Sequence, residues 1–150
     1  MGESFKFFTP IKVRFNETDL QGHVNFAHYL SFFDVGATEY MVAIGYDYET
    51  MLAEGVDLLY AESHCSYKSR AKWPEVLNVH VRIAHLGRRS VRYEFDVRAQ
   101  KGGRQVATGH IVAVTVERMT WAEREVPERL RRAVAEYEGT GRGRGWSSGI

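Results

Sequence analysis

The chain has 150 residues, of which 44% are hydrophobic and 26% are charged, and its formal net charge is +1 at pH 7. This length fits one domain, and the composition supports a hydrophobic core without disulfides or a structural metal. The small net charge excludes an overall field that would attract nucleic acid or an anionic membrane, so any anion site must be local.

Cysteine usage and the N-terminus bear on the compartment. Cys65 is the only cysteine, which excludes an internal disulfide and a cysteine-based zinc site and is typical of a reducing compartment. Residues 1–8 lack the basic and apolar segments of a signal peptide, and no apolar run approaches the about 20 residues of a membrane span. We therefore expect a cytoplasmic protein.

The first third of the chain predicts a strand followed by a long helix. Apolar and polar residues alternate over residues 10–15, which predicts a strand, and a polar loop follows over residues 16–23. Apolar residues then recur at helical spacing over residues 25–44, which predicts a heavily buried helix, and a loop is predicted around residues 45–55. Gly36 inside it indicates either close packing against another backbone or an unoptimised position.

The second half of the chain predicts an antiparallel sheet. Period-two alternation predicts four strands, over residues 56–67, 76–85, 90–99 and 104–117. Gly102 and Gly103 indicate a tight hairpin between the last two strands. We expect these strands to form a meander with one solvated face and one core face.

A short helix and a tail complete the chain. Pro127 is well placed in the first turn of a helix, because its missing N–H costs nothing there. The apolar face of this helix would comprise Leu130, Ala133, Val134 and Tyr137. The order of elements predicts one α+β domain over residues 1–138, in which a curved antiparallel sheet wraps the long apolar helix. Residues 139–150, rich in Gly, Arg and Ser, are expected to form a flexible tail.

The segment that joins the first strand to the long helix carries the candidate chemistry. It reads Glu-Thr-Asp-Leu-Gln-Gly-His-Val-Asn-Phe-Ala-His-Tyr-Leu over residues 17–30. Asp19 precedes a helix N-terminus, where free backbone N–H groups and the positive end of the helix dipole can polarise a carbonyl oxygen. From the residues alone, Asp19 also fits a solvated or helix-capping position.

This segment resembles the Asp-x-x-Gly-His-Val-Asn-Asn-Ala-x-Tyr-Leu signature of the 4-hydroxybenzoyl-CoA thioesterase-like branch of the hot-dog proteins. The resemblance is specific over residues 19–30 and extends over residues 10–137 as an order of elements. It implies a hot-dog domain whose protomers pair edge to edge, with the active site at the dimer interface. It also implies an acyl-CoA thioesterase, for which coenzyme A is part of the substrate and no further cofactor is expected.

The resemblance implies roles for four residues of the segment. Asp19 would be the catalytic carboxylate, either as a general base on water or as a nucleophile, and the Phe26 backbone N–H would contact the thioester carbonyl. His23 would contact the substrate or position Asp19, unless it is a loop histidine with a satisfied ring. Asn25 is either the helix cap or a substrate ligand.

Coenzyme A carries phosphates, so its binding site should offer local positive charge near the channel mouth. The candidates are the turn Arg88-Arg89-Ser90, which resembles the family's Gly-Arg-x-Ser turn, and the cluster Lys68, Ser69, Arg70 and Lys72. Surface solubility explains such charges equally well. Tyr67, just before the cluster, would either wall the acyl channel or be a core aromatic.

The chain departs from the family pattern at two places. Phe26 replaces the second Asn of the motif, which leaves the backbone donor intact but alters the pocket wall. The Glu-Glu-Ala-Arg commonly found one turn later reads Asp-Val-Gly-Ala over residues 34–37. Because the Arg is missing, no ion pair on the helix is inferred.

Two other functions remain open: a noncatalytic acyl-CoA or acyl-carrier binding module, and a hot-dog hydratase or dehydratase. Retention of Asp19 argues against the binding module. The histidines lack the His-x-x-x-His and His-Glu-x-x-His spacings of a metal hydrolase, so we expect no metal site. We expect an acyl-CoA substrate, no nucleic-acid or membrane partner, and a homo-oligomer, either a dimer or a tetramer built as a dimer of dimers.

Overall fold

The computed structural model describes residues 5–139. Its helices and strands in chain order are β1 Phe7–Lys12, α1 Tyr29–Ala43, α2 Tyr48–Ala53, β2 Val56–Tyr67, β3 Val76–Leu86, β4 Ser90–Ala99, β5 Gln105–Glu117 and α3 Glu128–Glu138. Two short 3₁₀ helices, Phe15–Glu17 and Phe26–His28, precede α1. Apart from Gly139, the predicted flexible tail lies outside the described residues.

The five strands form one antiparallel sheet in the order β1-β3-β4-β5-β2. The predicted meander is confirmed for β3, β4 and β5, but it is wrong for β2, which pairs with β5 at the far edge of the sheet. β2 has twelve residues and β5 has thirteen, so their pairing satisfies the largest number of backbone donors and acceptors. β1 and β2 are the two edge strands.

The helix α1 packs on the core face of the sheet. Its buried residues are Tyr29, Phe32, Phe33, Gly36, Ala37, Tyr40 and Met41. The Phe33 ring stacks on the Phe95 ring, with 4.3 Å between centroids and 2° between planes. A Cβ atom added to Gly36 would lie 2.8 Å from Val79 Cγ1 and 2.9 Å from Val81 Cγ2. The sheet therefore approaches the backbone of α1 closely at Gly36.

Three local predictions are wrong. β1 ends at Lys12, before the predicted end at residue 15, because the chain turns into a 3₁₀ helix at Phe15, whose side chain is 71% exposed. The α-helix begins at Tyr29, after a 3₁₀ turn that Asn25 caps. The helix α2 lies within the predicted loop, where Asp47 accepts a hydrogen bond from the Thr50 backbone N–H at 2.9 Å.

Two further local predictions are confirmed. Gly102 and Gly103 both have positive φ, +83° and +73°, in the hairpin between β4 and β5. Pro127 immediately precedes α3, which buries Leu130 and Val134. A long helix on one face of an antiparallel sheet, with a short terminal helix, confirms the α+β hot-dog architecture.

Candidate active site

Asp19 lies in a tight loop between the two 3₁₀ helices. Its backbone N–H donates to the His23 carbonyl at 3.2 Å, and the Gly22 N–H donates to the Asp19 carbonyl at 2.9 Å. Gly22 has a φ of +85°, a left-handed conformation that glycine adopts without strain. Thr18 and Val24 pair as an isolated bridge at the base of the loop. The loop is therefore closed by its own backbone.

Contacts to neighbouring segments hold this loop in place. The Val24 N–H donates to the Ala71 carbonyl at 2.8 Å, and the Asn25 N–H donates to the Glu17 carbonyl at 2.9 Å. The Glu17 side chain is buried and accepts hydrogen bonds from the Arg14 backbone N–H at 2.8 Å and from Arg14 Nη2 at 2.7 Å. The loop is thus anchored to the segment that follows β2.

Both oxygens of the Asp19 carboxylate accept hydrogen bonds. Oδ1 accepts from the Gln21 backbone N–H at 2.9 Å, and Oδ2 accepts from Asn25 Nδ2 at 3.0 Å. The Gln21 bond first, and then the Asn25 bond, lower the pKa of Asp19 below its ordinary value, with a smaller contribution from the charge of His23. Hydrogen bonds to a carboxylate favour its charged form, so Asp19 is ionised at neutral pH.

An unpaired backbone donor lies at the adjacent helix N-terminus. Asn25 caps this end, because its Oδ1 accepts from the Ala27 N–H at 3.0 Å and its carbonyl accepts from the His28 N–H at 3.0 Å. Within residues 5–139, the Phe26 N–H has no protein acceptor. The first N–H groups of a helix have no acceptor within the helix, so Phe26 can donate to a ligand.

A cavity of about 540 Å³ joins these groups. Its lining comprises Asp19, Gln21, His23, Val24, Asn25, Phe26, Tyr29, Tyr67, Lys68, Ser69 and Arg70. All eight residues predicted for the site in the 19–26 and 67–70 segments therefore line one cavity, whereas Lys72 of the predicted cluster is not among its lining residues. Gln21 escaped sequence reasoning because it contributes its backbone N–H to Asp19, and any residue type can supply that donor.

Tyr67 forms one wall of this cavity. Its hydroxyl donates to the Phe26 carbonyl at 3.3 Å. Its ring contacts the Tyr29 and Phe26 rings edge to face, with centroids 5.3 and 6.4 Å away. Because the Tyr67 side chain is half exposed, it is a cavity wall and not a core aromatic.

Unpaired positive charge surrounds the mouth of the cavity. Lys68 and Arg70 line it and are exposed. Within the part of the chain that the structure describes, neither forms an ion pair, whereas nearby Arg104 pairs with Glu75 at 3.1 Å. The overall charge of +1 thus conceals a local concentration of cations beside Asp19.

The predicted phosphate-binding turn lies elsewhere in the same protomer. Ser90 begins β4, and Val97, seven residues further along β4, pairs with Ala107 near the cavity. Seven residues of extended strand span about 23 Å. The turn and the Asp19 cavity therefore lie at opposite ends of the sheet.

The two arginines of this turn are engaged with acidic side chains. Arg88 Nη2 lies 3.0 Å from Glu125 Oε2, and Arg89 Nη1 lies 3.5 Å from Glu123 Oε1. These pairs are largely exposed, so they contribute little stability and can exchange partners. A phosphate-binding role for the turn stays a prediction.

Two further cavities follow the exposed side of α1 away from Phe26. The nearer one, of about 400 Å³, is lined by Leu30, Ser31, Asp34 and Tyr60, among others. The farther one, of about 600 Å³, shares Asp34 and Tyr60 and adds Met41, Met51 and Leu58. Tyr60 donates to Asp34 Oδ1 at 2.7 Å where the two meet. The protein therefore has largely apolar space along α1, in two cavities that share no lining residue with the Asp19 cavity.

Residues 5–139 contain neither a metal-binding cluster nor a membrane-spanning helix. No group of three or more His, Cys, Asp or Glu side chains is arranged to hold a metal ion. No helix in that range is long and apolar enough to cross a membrane.

The family model described as the thioesterase-like superfamily matches residues 13–134. The solved structure of the PA5185 protein from Pseudomonas aeruginosa strain PAO1 is 30% identical, with a TM-score of 0.80 over 99% of this chain and 96% of that one. A DHNA-CoA thioesterase from Staphylococcus aureus is 20% identical, with a TM-score of 0.82 over 95% and 97%. The SAV2348 protein of Staphylococcus aureus, solved in complex with CoA, is 17% identical, with a TM-score of 0.80 over 88% and 83%. The last two likenesses establish the fold.

Proposed function

Since the chain belongs to the thioesterase-like superfamily, we propose that it is an acyl-CoA thioesterase, which hydrolyses an acyl-CoA thioester to a free acid and coenzyme A. One observation carries the proposal: Asp19, with its ionised carboxylate, and Phe26, with its unpaired N–H, line the same cavity at a helix N-terminus. Thioester hydrolysis needs a base or nucleophile beside a donor for the developing oxyanion.

In the proposed mechanism, the thioester carbonyl oxygen accepts a hydrogen bond from the Phe26 N–H. The positive end of the helix dipole adds to this stabilisation as negative charge develops on the oxygen. Asp19 then either removes a proton from the attacking water or attacks the carbonyl carbon itself. In both routes the thiolate of coenzyme A leaves and takes up a proton. After nucleophilic attack, water then hydrolyses the acyl–Asp19 anhydride, which releases the acid and regenerates the carboxylate. His23, in the same cavity, positions the carboxylate or contacts the substrate.

The unpaired cations supply a binding site for the phosphates of coenzyme A. Lys68 and Arg70 line the cavity that also contains Asp19 and Phe26. Exposed cations with no acidic partner attract phosphate without first breaking an ion pair. The CoA complex of the similar Staphylococcus aureus protein supports a CoA thioester as the ligand.

We further propose a homo-oligomer, a dimer or a dimer of dimers, in which the edge strand β2 pairs with its copy. β2 has twelve residues and leaves Leu59 and Tyr60 about half exposed. An unpaired edge of this length invites pairing with another strand. A single cysteine is typical of a reducing compartment, so we propose that this oligomer is cytoplasmic.

Such pairing would bring the Arg88-Arg89-Ser90 turn to the active site. In a two-fold antiparallel pair, the start of one β2 lies beside the end of the other. The turn lies at the end of the sheet where β2 starts, because Ser90 pairs with Val114 and Val56 pairs with Glu117. Each turn would therefore face the Asp19 end of the partner, with the active site at the interface.

The test is thiol release from a panel of acyl-CoA substrates. We expect Asp19→Asn to lower kcat by about 10²–10⁴-fold while the circular dichroism spectrum is unchanged, the usual size of a lost acid–base group. Glu39→Gln, an exposed carboxylate of α1, is the control and should keep full turnover. Near-normal turnover by Asp19→Asn would remove the proposal.

The same assay separates the alternative functions. A noncatalytic binding module would bind acyl-CoA, measured by calorimetry, without releasing any thiol. A hydratase or dehydratase would alter the acyl chain and leave the thioester intact, which mass spectrometry of the product detects.

A further inference from the structure

The side chain of Asn25 forms hydrogen bonds through both of its polar atoms. Oδ1 accepts from the Ala27 N–H at 3.0 Å, and Nδ2 donates to Asp19 Oδ2 at 3.0 Å. The first bond is an ordinary helix cap. The second joins that cap directly to the carboxylate.

The hydrogen bonds continue beyond the cap. The Ala27 N–H belongs to the same peptide group as the Phe26 carbonyl, which accepts from the Tyr67 hydroxyl at 3.3 Å. A connected series therefore runs from Tyr67 through one peptide group and Asn25 to Asp19. Each bond in such a series polarises the next, so the series is more rigid than its separate members.

The backbone of Asn25 is equally fixed. Its N–H donates to the Glu17 carbonyl at 2.9 Å, and its carbonyl accepts from the His28 N–H at 3.0 Å. The next N–H along the chain is the unpaired donor of Phe26. The residue that holds the carboxylate is thus bonded covalently to the residue that offers the oxyanion donor.

We propose that Asn25 is a positioning residue, which sets the Asp19 carboxylate and the Phe26 N–H in a fixed mutual geometry. This inference rests on the proposed function and goes beyond the earlier choice between a cap and a substrate ligand. Ser, Asp and Asn are all good caps, but of these only Asn carries its acceptor and its donor on two separate atoms, so that one can cap the helix while the other reaches a neighbouring carboxylate. The need to hold Asp19 therefore explains why the cap is Asn.

The decisive variant is Asn25→Ser, which keeps a capping oxygen but removes the amide nitrogen that donates to Asp19. The shorter serine side chain carries its only donor on the capping oxygen itself. We expect kcat to fall about 10–100-fold, the effect of misplacing a reacting group, with KM changed less than about threefold. The pKa of Asp19, measured by carbon NMR of its carboxyl group, should rise, because one of its two hydrogen bonds is lost. Leu20→Ala, a fully exposed position of the same loop, is the control and should change neither quantity.

A second variant, Asn25→Asp, also keeps the cap but places a negative charge beside Asp19. It should raise the pKa of Asp19 further than Asn25→Ser does and move the acidic limb of the kcat/KM profile to higher pH. If Asn25→Asp has the same thermal stability and kcat as the wild-type protein, Asn25 acts only as a cap and the inference is overturned. Wild-type kcat and an unchanged Asp19 titration in Asn25→Ser would overturn it as well.

The NMR titration needs no substrate, which separates this inference from the proposed function. If the wild-type protein releases no thiol from any acyl-CoA, the proposed function fails. The Asp19 titration in the two Asn25 variants would still show whether Asn25 holds the carboxylate.

Discussion

Gly36 of α1 and Val79 of β3 lie so close together that a side chain at position 36 has no space. A Cβ atom there would be 2.8 Å from Val79 Cγ1. Val79 is fully buried in the sheet and, being β-branched, has little freedom to rotate away. The contact therefore fixes the distance between α1 and the sheet.

We predict that Gly36→Ala destabilises the protein despite improving helix propensity. Alanine gains about 1 kcal/mol in a helix interior relative to glycine, but overpacking a core typically costs about 1–3 kcal/mol. We expect a net loss of about 1 kcal/mol in the free energy of unfolding, measured by urea denaturation. Val35→Ala, at the neighbouring exposed position, should change it by less than about 0.5 kcal/mol. A more stable Gly36→Ala variant would contradict the close contact.

The pH dependence of turnover should show no titration of Asp19 near neutrality. The active form of Asp19 is the carboxylate, and its pKa lies below the ordinary value of 3.8. Protonation of Asp19 removes activity as the pH falls through this lowered pKa. The acidic limb of the kcat/KM profile should therefore lie below pH 3.8 while the protein stays folded. An acidic limb near neutral pH would instead indicate that a group other than Asp19 limits the rate. Rates measured from about pH 4 to pH 8 decide between them.

The turn at Arg88 and Arg89 should affect substrate binding more than chemistry. We expect the double variant Arg88→Ala/Arg89→Ala to raise KM for acyl-CoA at low salt with a smaller effect on kcat, because phosphate contacts remote from the thioester contribute uniform binding. The effect should shrink with a pantetheine thioester, which lacks the nucleotide. Arg129→Ala/Arg132→Ala, which removes two exposed arginines of α3, is the charge-matched control. An unchanged KM in the double variant would leave Lys68 and Arg70 as the phosphate site.

The assembly can be tested by light scattering. We expect a mass that is two or four times 17.2 kDa, because the β2 edge needs a partner. Leu59→Lys, on the exposed part of β2, should weaken the assembly and lower kcat together, since the active site is proposed to be shared. Leu20→Lys, on the fully exposed loop position, should do neither. A wild-type monomer at micromolar concentration with full turnover would refute an interfacial site.

The sequence predicted the elements well, since their signals are local. Period-two alternation identified all four long strands, and Pro127 marked the start of α3. The strand order was not predictable in the same way, because alternation shows which face a residue occupies and not which strand lies beside it. The six-residue α2 is too short for a helical period to emerge, although Asp47 and Thr50 carry a capping signal.

The candidate site was predictable as a segment but not as a set of contacts. The residues around Asp19 stood out, because carboxylates and helix starts have recognisable residue types. The donor from Gln21 is a backbone group, so no side chain reveals it. The Val24 N–H donates to the Ala71 carbonyl, a hydrogen bond between distant parts of the chain. This bond helps to place Lys68 and Arg70 in the lining of the cavity that contains Asp19. Such long-range pairing has no local signature.

The glycine contact of α1 has a counterpart in the sheet, where the Phe33 ring covers Gly109 so closely that a Cβ there would lie 2.6 Å from the ring. α1 has no side chain at Gly36, and the sheet has none at Gly109. Because other residues fill both spaces, α1 can neither slide nor rotate without a clash. Libraries designed to change acyl selectivity should therefore leave this buried side of α1 untouched. Diversity belongs at its open side, at Leu30, Ser31 and Asp34, where new side chains meet cavity and not backbone.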